Sequence, residues 1–391
     1  MPLDSSVLGL PGFEIESAEN LDPVLLRVKY TGEVSCPHCS GKVLRVKDRW
    51  TRELRHASFG NRACRLVVEA RKFHCRTCGR YFNQRFPGIG PWRRSTEPYR
   101  RQIFLQHHQG VPQRTLALQE RLGSATVERW YRELLELKSH ERWDAACPRI
   151  LGIDEHFFTK KKGFATTLCD LERRRVFDVI LGRSEKALED DFNRLVDKGN
   201  VRVVCMDLSG PYRALVRKHF PKALIVADRF HVIRLVNHHF LAAWGQLDPK
   251  GRANRGLLSL VRRHSDRLDS DQQVRLREYL KAHPGFEAIY DFKQRLTRLL
   301  RIKHRTARQC RRLIPVFLSY VQQLRSSPMP SLASLGQTMD SWKEEIVRMW
   351  RFTRNNGITE GFHTKMEMIS RRAFGFRNFE NYRLRVKVLC G

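Results

Sequence analysis

Between residues 149 and 244 the chain passes through three apolar stretches and an amphipathic one, then alternates apolar runs with helical ones. That order leaves few folds open. RILGIDEHFF, GFATTLCDL and RVFDVILG read as strands joined by the tight turns TKKK and ERR, a three-stranded meander. EKALEDDFNRLVDK then has helical spacing, VRVVCMD is a strand, GPYRALVRKHF a helix, ALIVAD a strand and RFHVIRLVNHHFLAAW a helix. The succession β-β-β-α-β-α-β-α predicts a mixed sheet flanked by helices, since a meander pairs antiparallel and a β-α-β crossover returns the chain parallel.

The rest of the chain divides around this part. Residues 1–23 read as a poorly structured leader, and 24–90 as short strands including PVLLRVKY, KVLRVKD and RACRLVVEARKFHC. A Pro/Gly-rich stretch, FPGIGPWRRSTEP, marks a boundary, and 91–145 switch to charged helical spacing. Residues 146–244 are the α/β part, 245–350 hold only helical patterns, and 351–391 open with an Asn-Asn-Gly turn and one more helix.

Basic residues outnumber acidic ones 73 to 41, a net charge of +32, which suits a polyanionic partner. No apolar run reaches membrane-spanning length, and the N terminus lacks the basic start and apolar core of a signal peptide. The expectation is a cytoplasmic protein associated with DNA rather than with a membrane. Ten cysteines in so long a chain do not make a disulfide scaffold.

Four of those cysteines form two C-x-x-C pairs, Cys36/Cys39 and Cys75/Cys78. Two such knuckles complete a tetrahedral Zn2+ site, whereas a thiol redox motif needs only one pair. The gap between the pairs is longer than in a usual finger, and strands can fill it. Further on, VPQRTLALQERLGSATVERWYRELLE reads as a helix, a turn at Leu122-Gly123-Ser124, and a second helix with Val127, Trp130 and Leu134 on one face. This is similar to a helix-turn-helix, with Arg129 and Arg132 turned toward DNA; a plain amphipathic hairpin gives the same pattern.

Three acids carry the chemistry. Asp154 ends the apolar part of the first strand and Asp207 ends the fourth, which the predicted order can lay beside the first. Carboxylates brought together repel unless a cation lies between them, and Mg2+ prefers such oxygen ligands. Asp207 before a helix could equally be a cap. Glu360 falls in the first turn of the last helix, with Arg371, Arg372 and Arg377 downstream. As a lone residue it would be an ordinary N-terminal helix acid. Asp228 and His231, three apart at a helix start, can share one face, or Asp228 can be a plain cap. Dense positive charge at helical spacing, including Arg298, Arg301, Lys303, Arg305, Arg308, Arg311 and Arg312, offers DNA-backbone contacts or a solvated face.

Taken together, the knuckle cysteines, Gly152-Ile153-Asp154-Glu155, Met206-Asp207 with Pro211-Tyr212, Ala227-Asp228-Arg229-Phe230-His231, and Thr359-Glu360-Gly361 with Gly375-Phe376-Arg377-Asn378-Phe379 resemble the ISL3 family of insertion-sequence transposases. The resemblance runs from Cys36 to about Arg385. It implies a zinc-ribbon head and an RNase H-like DDE catalytic domain, with Asp154, Asp207 and Glu360 as the triad holding two Mg2+ or Mn2+ ions. It also implies a helical insertion over 245–350, and Asp228 and His231 as an accessory pair. The partners implied are the element's terminal inverted repeats and target DNA, bound by a homodimer or higher homo-oligomer in a bacterial cell. His363 stands where Asn is common in the family, and Glu367 and Ser370 replace basic residues. Two other readings use the same features: a DNA-binding regulator on an inactive catalytic fold, and an RNase H-like nuclease or resolvase without transposition.

Overall fold

The computed structural model describes residues 5–20, 22–60, 62–142, 146–352 and 357–391. They divide into two compact units, Met1–Glu141 and Arg142–Gly391.

The first unit opens with a 3-10 turn at Ser5–Leu8, followed by strands β1 (Phe13–Glu19), β2 (Val24–Tyr30), β3 (Leu44–Phe59), β4 (Arg62–Cys75) and β5 (Tyr81–Asn83). They pair in the order β1-β2-β4-β3, with β5 also on β4. The segment read as a leader therefore supplies a strand. The reason is tertiary: Leu8, Leu10 and Phe13 are buried, and the Phe13 ring packs 5.1 Å from Tyr30 and 5.6 Å from Phe86. β3 is also far longer than KVLRVKD suggested, because β4 pairs with it from Leu44↔Cys75 to Phe59↔Arg62. Strand pairing here overrides a sequence in which charges outnumber apolar residues. Three helices follow, α1 (Glu97–His108), α2 (Gln113–Gln119) and α3 (Ser124–Arg142). Tyr99, Ile103, Leu116, Val127 and Trp130 form their small core. On α3 it is Leu135, not the expected Leu134, that is buried beside Trp130 and Val127.

In the second unit β6 (Ile150–Thr159), β7 (Gly163–Asp170) and β8 (Arg175–Leu181) form the meander. Then come α4 (Glu185–Arg194), β9 (Val203–Met206), α5 (Gly210–His219), β10 (Leu224–Ala227) and α6 (Arg229–Leu247). The sheet order is β10-β9-β6-β7-β8, with β9 parallel to both β6 and β10. This is the RNase H-like arrangement. The chain continues through α7 (Pro249–Ala253), α8 (Arg255–Arg262), α9 (Ser270–Lys281), α10 (Pro284–Leu300), α11 (Ala307–Arg325), α12 (Pro330–Ser341) and α13 (Lys343–Arg348). It ends with α14 (Gly357–Arg372) and α15 (Phe379–Cys390). The Asn355-Asn356 part of the expected turn before α14 lies outside the described residues.

Each face of the sheet has its own core. Ile153, Val204 and Met206 pack with α5 and α6 and also with Leu296, Phe317, Leu335 and Trp350 from the helical block. Ala165, Val179 and Cys205 pack with Phe362, Met366, Tyr382 and Val386 of α14 and α15. Helices α10 to α13 are thus built into the sheet's core, while α8 and α9 close a smaller cluster around Trp244 and Phe286. Arg229, at the start of α6, ties together the ends of α10 and α13. Its buried guanidinium donates to the carbonyls of Leu300 (3.0 Å), Ile302 (3.1 Å) and Met349 (2.5 Å). Among the described residues no helix is long and apolar enough to cross a membrane.

Candidate active site and zinc centre

Parallel register places the first two acids. Ile153 pairs with Met206 across β6 and β9, so Asp154 and Asp207 follow abreast at neighbouring positions. The same register repeats between β9 and β10, where Met206 pairs with Ala227, so Asp228 comes next in the row. Asp228 is 1% exposed, and its carboxylate caps α6 by accepting from the Phe230 N–H at 3.4 Å. It does more than cap. His231 Nε2 stands 3.6 Å from Asp228 Oδ2 and 3.7 Å from Asp154 Oδ1. Asp228 therefore caps α6 and shares a face with His231.

Glu360 arrives from the far end of the chain. Phe362 and Met366 bury the inner face of α14 against the sheet, and Glu360 is exposed in its first turn. Its charge reaches Asp154, whose carboxyl is pushed up to about 7. Burial is the main cause, followed by the opposing N–H of Glu155 and the charges of Asp207, Asp228 and Glu360. Burial also raises Asp207 to about 6, helped by Glu155 and Asp228 and opposed by Arg234. Asp207 Oδ1 is buried with no hydrogen-bond partner. The charges of Asp207, Asp228 and Glu360 thus each make Asp154 harder to ionise. These acids do not meet at one point: among the described residues only the cysteine set gathers three or more ligand atoms all within 4.8 Å.

A polar chain that the sequence did not reveal backs the acids. Tyr382 Oη lies 2.9 Å from His156 Nε2, and His156 Nδ1 lies 3.0 Å from Thr167 Oγ1. Thr167 meets His363 Nε2 at 3.1 Å, and His363 Nδ1 is 4.0 Å from Asp154 Oδ2. His363, the departure from the family pattern, thus faces the acids. Its spacing of three from Glu360 on one helix was the available signal. Glu367, the second departure, pairs with Arg371 at 2.7 Å.

In the first unit, β3 and β4 run antiparallel from Leu44↔Cys75, which carries the two knuckles to one end of the hairpin. Cys36 Sγ is 3.7 Å from Cys78 Sγ, and Cys39 Sγ is 3.6 Å from Cys75 Sγ. Four sulfurs around Zn2+ at about 2.3 Å would stand about 3.8 Å apart, so the set fits the ion. The N–H groups of Cys78 and Thr77 hold the Cys75 thiol down to about 6. Cys39, although the Gly41 N–H favours its thiolate, is pushed up to about 12 by burial and the three other sulfurs. Cys75 thus forms its thiolate readily, whereas Cys39 needs a cation to do so. A Cβ at Gly41 would come within 2.7 Å of Thr77 Oγ1 and 3.2 Å of Cys39 Sγ, so the knuckle requires glycine there.

The expected DNA-facing side chains are scattered. Arg129 and Arg132 are exposed on α3, with Arg132 held by Glu136 at 2.9 Å. Arg301 and Lys303 follow α10, Arg371 and Arg372 close α14, and Arg377 lies before α15.

Comparison with known proteins bears on both sites. The DDE transposase model of the ISL3 type, described as a transposase, matches residues 151–386, more than half of the chain. The chain belongs to this family of transposases. A second model, the zinc finger of the IS204/IS1001/IS1096/IS1165 transposases, matches residues 32–78 and spans all four cysteines, supporting a structural zinc. The transposase for insertion sequence element IS1001 of Bordetella parapertussis is 26% identical over 401 residues, covering 98% of this chain and 97% of that protein. The Drosophila P element transposase strand transfer complex aligns with 75% of this chain and 91% of its own at 14% identity and a TM-score of 0.41. The transposase is thus a DNA-acting enzyme that cleaves and transfers strands.

Proposed function

We propose that Asp154, Asp207 and Glu360 are the catalytic acids of this transposase, and that they hold Mg2+ or Mn2+. The observation that carries the reading is the strand register, which sets Asp154 and Asp207 side by side where Asp207 Oδ1 is buried and unpartnered. Hard carboxylate oxygens suit these cations, and bound ions would supply charge stabilisation to the attacking and leaving oxygens at phosphorus. The chain's own groups do the rest. Asp154 presents its oxygens from the middle of β6 and Asp207 from the end of β9, and Glu360 closes the set from α14. His231 bridges Asp154 and Asp228, and we assign this pair the accessory task of orienting Asp154. The Tyr382–His156–Thr167–His363 chain limits the ways Asp154 can turn. The nucleophile is water and then the freed 3′-OH, so no covalent enzyme intermediate forms.

The first unit and the basic surface bind the terminal inverted repeats, and the working species on DNA is a homodimer or higher homo-oligomer. The test is cleavage and joining on a DNA fragment carrying the element's own end, with Mg2+ added. Alanine at Asp154, Asp207 or Glu360 should abolish both steps and leave end binding within about twofold. Full strand cleavage by Glu360→Ala would defeat the assignment.

A further inference from the structure

Next to the zinc knuckles, the first unit carries a cavity of about 850 Å³ that the chemistry above does not use. Trp50, Arg52, Phe82, Gln84, Arg85 and Trp92 are among its lining residues. Its size falls within the range of pockets that take a small organic molecule, and its lining combines aromatic faces with guanidinium groups. We propose that it receives one unpaired or turned-out nucleobase of bound DNA, stacked on Trp92 and Trp50, with the adjoining phosphates on the arginines. The inference rests on the DNA-binding role given to the first unit and names a ligand within it.

Three independent observations support this occupant. The first is the presentation of Trp92. It is 88% exposed, so it contributes almost nothing to the fold, yet its backbone adopts a φ of +60°. A bulky residue there is strained, and such strain concentrates at functional positions. The loop around it is not slack. Arg93 N–H bonds to Gly90 at 3.3 Å, Arg52 donates to the Arg93 carbonyl at 2.8 Å, and Arg55 N–H bonds to the Arg94 carbonyl at 3.0 Å. The indole is held out from a tied-down backbone.

The second observation is what surrounds it. Trp50, 36% exposed, rises from the middle of β3, where a large apolar side chain has no core to enter. Arg52 stands two residues on, on the same face of the strand, and Arg85, Arg93 and Arg94 line the remaining wall. The one acid in the wall, Glu53, is paired with Arg65. Aromatic platforms inside a cationic rim suit a base and its phosphates, because every base has a π-face and every linkage a negative charge.

The third is Gln84. Its Oε1 is buried and has no hydrogen-bond partner, a cost that a native site recovers when a ligand supplies a donor. A base edge carries such donors in its exocyclic amines. An apolar protein segment would leave Gln84 Oε1 without a donor and bring no negative charge to the arginines.

The experiment uses the full-length, zinc-loaded protein and two fluorescent probes. One is a 30-base-pair duplex, and the other is the same duplex with a single unpaired 2-aminopurine bulge. Binding is followed by anisotropy, and base stacking by quenching of the 2-aminopurine. The expected result is tighter binding to the bulged probe with strong quenching. Trp92→Ala should weaken the bulged probe about tenfold more than the duplex and relieve the quenching, the loss expected of one base–aromatic stack. Trp92→Phe should restore most of both. Gln84→Ala should reduce the preference for a 2-aminopurine over an abasic bulge. Zinc content equal to the parent protein's checks that each variant is folded. Equal affinity for both probes, or a Trp92→Ala loss shared equally between them, would overturn the pocket while leaving DNA binding intact. Failure to bind either probe would bring down the DNA-binding reading itself.

Discussion

Asp154 is where burial, charge and chemistry meet. Its carboxyl, raised to about 7, and that of Asp207, raised to about 6, keep their protons to higher pH in the folded chain than in the unfolded one. Such groups favour the folded state below the ordinary carboxylate range, and that contribution is lost as pH rises through about 6 to 7. His156, His231 and His363 have the opposite sign. Burial lowers them to about 3, 4 and 4, so their contribution stands above pH 6.5 and is lost on acidification. Without divalent metal the two trends oppose each other between about pH 4 and pH 7, so Asp154→Asn, which removes a falling contribution, should make stability rise more steeply with pH there, measured by calorimetry in chelator. Mg2+ should raise the melting temperature more at the higher pH, because the ligands must be deprotonated. An unchanged slope in Asp154→Asn would refute the account. Asp154 and Asp207 were legible because each ends an apolar run. The histidine chain was not, since its bonds join residues as much as 226 positions apart.

Among the elements, α15 shows how the last helices are fixed. Arg383 donates two bonds of 2.7 Å to Asp178 of β8 and reaches Asp191 of α4 at 3.4 Å. Arg383→Met leaves the buried Asp178 with only the Lys387 ammonium at 3.8 Å and the Val179 N–H, which should cost about 3 kcal/mol in urea denaturation. Adding Asp178→Leu should recover much of the loss; if the double variant is no more stable, the pair is not the latch. In the other unit, Cys75→Ser should lose zinc by elemental analysis and abolish binding to element ends, since structural zinc contributes folding energy directly. In the second sheet the succession of strands and helices was legible from alternation, and it allowed β6 and β9 to lie side by side. β1 was not legible, because a seven-residue strand bearing three glutamates holds its place only through Phe13 and its distant partners. The integration of α10 to α13 into the sheet's core was hidden for a related reason: helical periodicity shows which face is buried and not against what.

For the whole molecule the governing number is the charge of +32. DNA affinity should fall steeply with salt. Replacing Arg298, Arg301, Lys303 and Arg305 with glutamine should weaken all sequences alike and reduce the log–log salt slope by about one unit for each phosphate no longer neutralised. An unaltered slope would show that this stretch is merely solvated. A different consequence follows from the Arg229 clasp. The chain leaves the sheet at Arg229 and, at Met349, returns to the same guanidinium 120 residues later. Departure and return share one knot, so the length of the excursion is decoupled from where its ends lie, and lengthening it costs only slowly growing closure entropy. Evolution can then rebuild the small lobe of α7 to α9 as an exchangeable part, shortened in one lineage or replaced in another, while selection on the acids proceeds separately. Variation among relatives should accordingly be densest between Pro249 and Lys281 and should stop abruptly at the carbonyls that Arg229 holds.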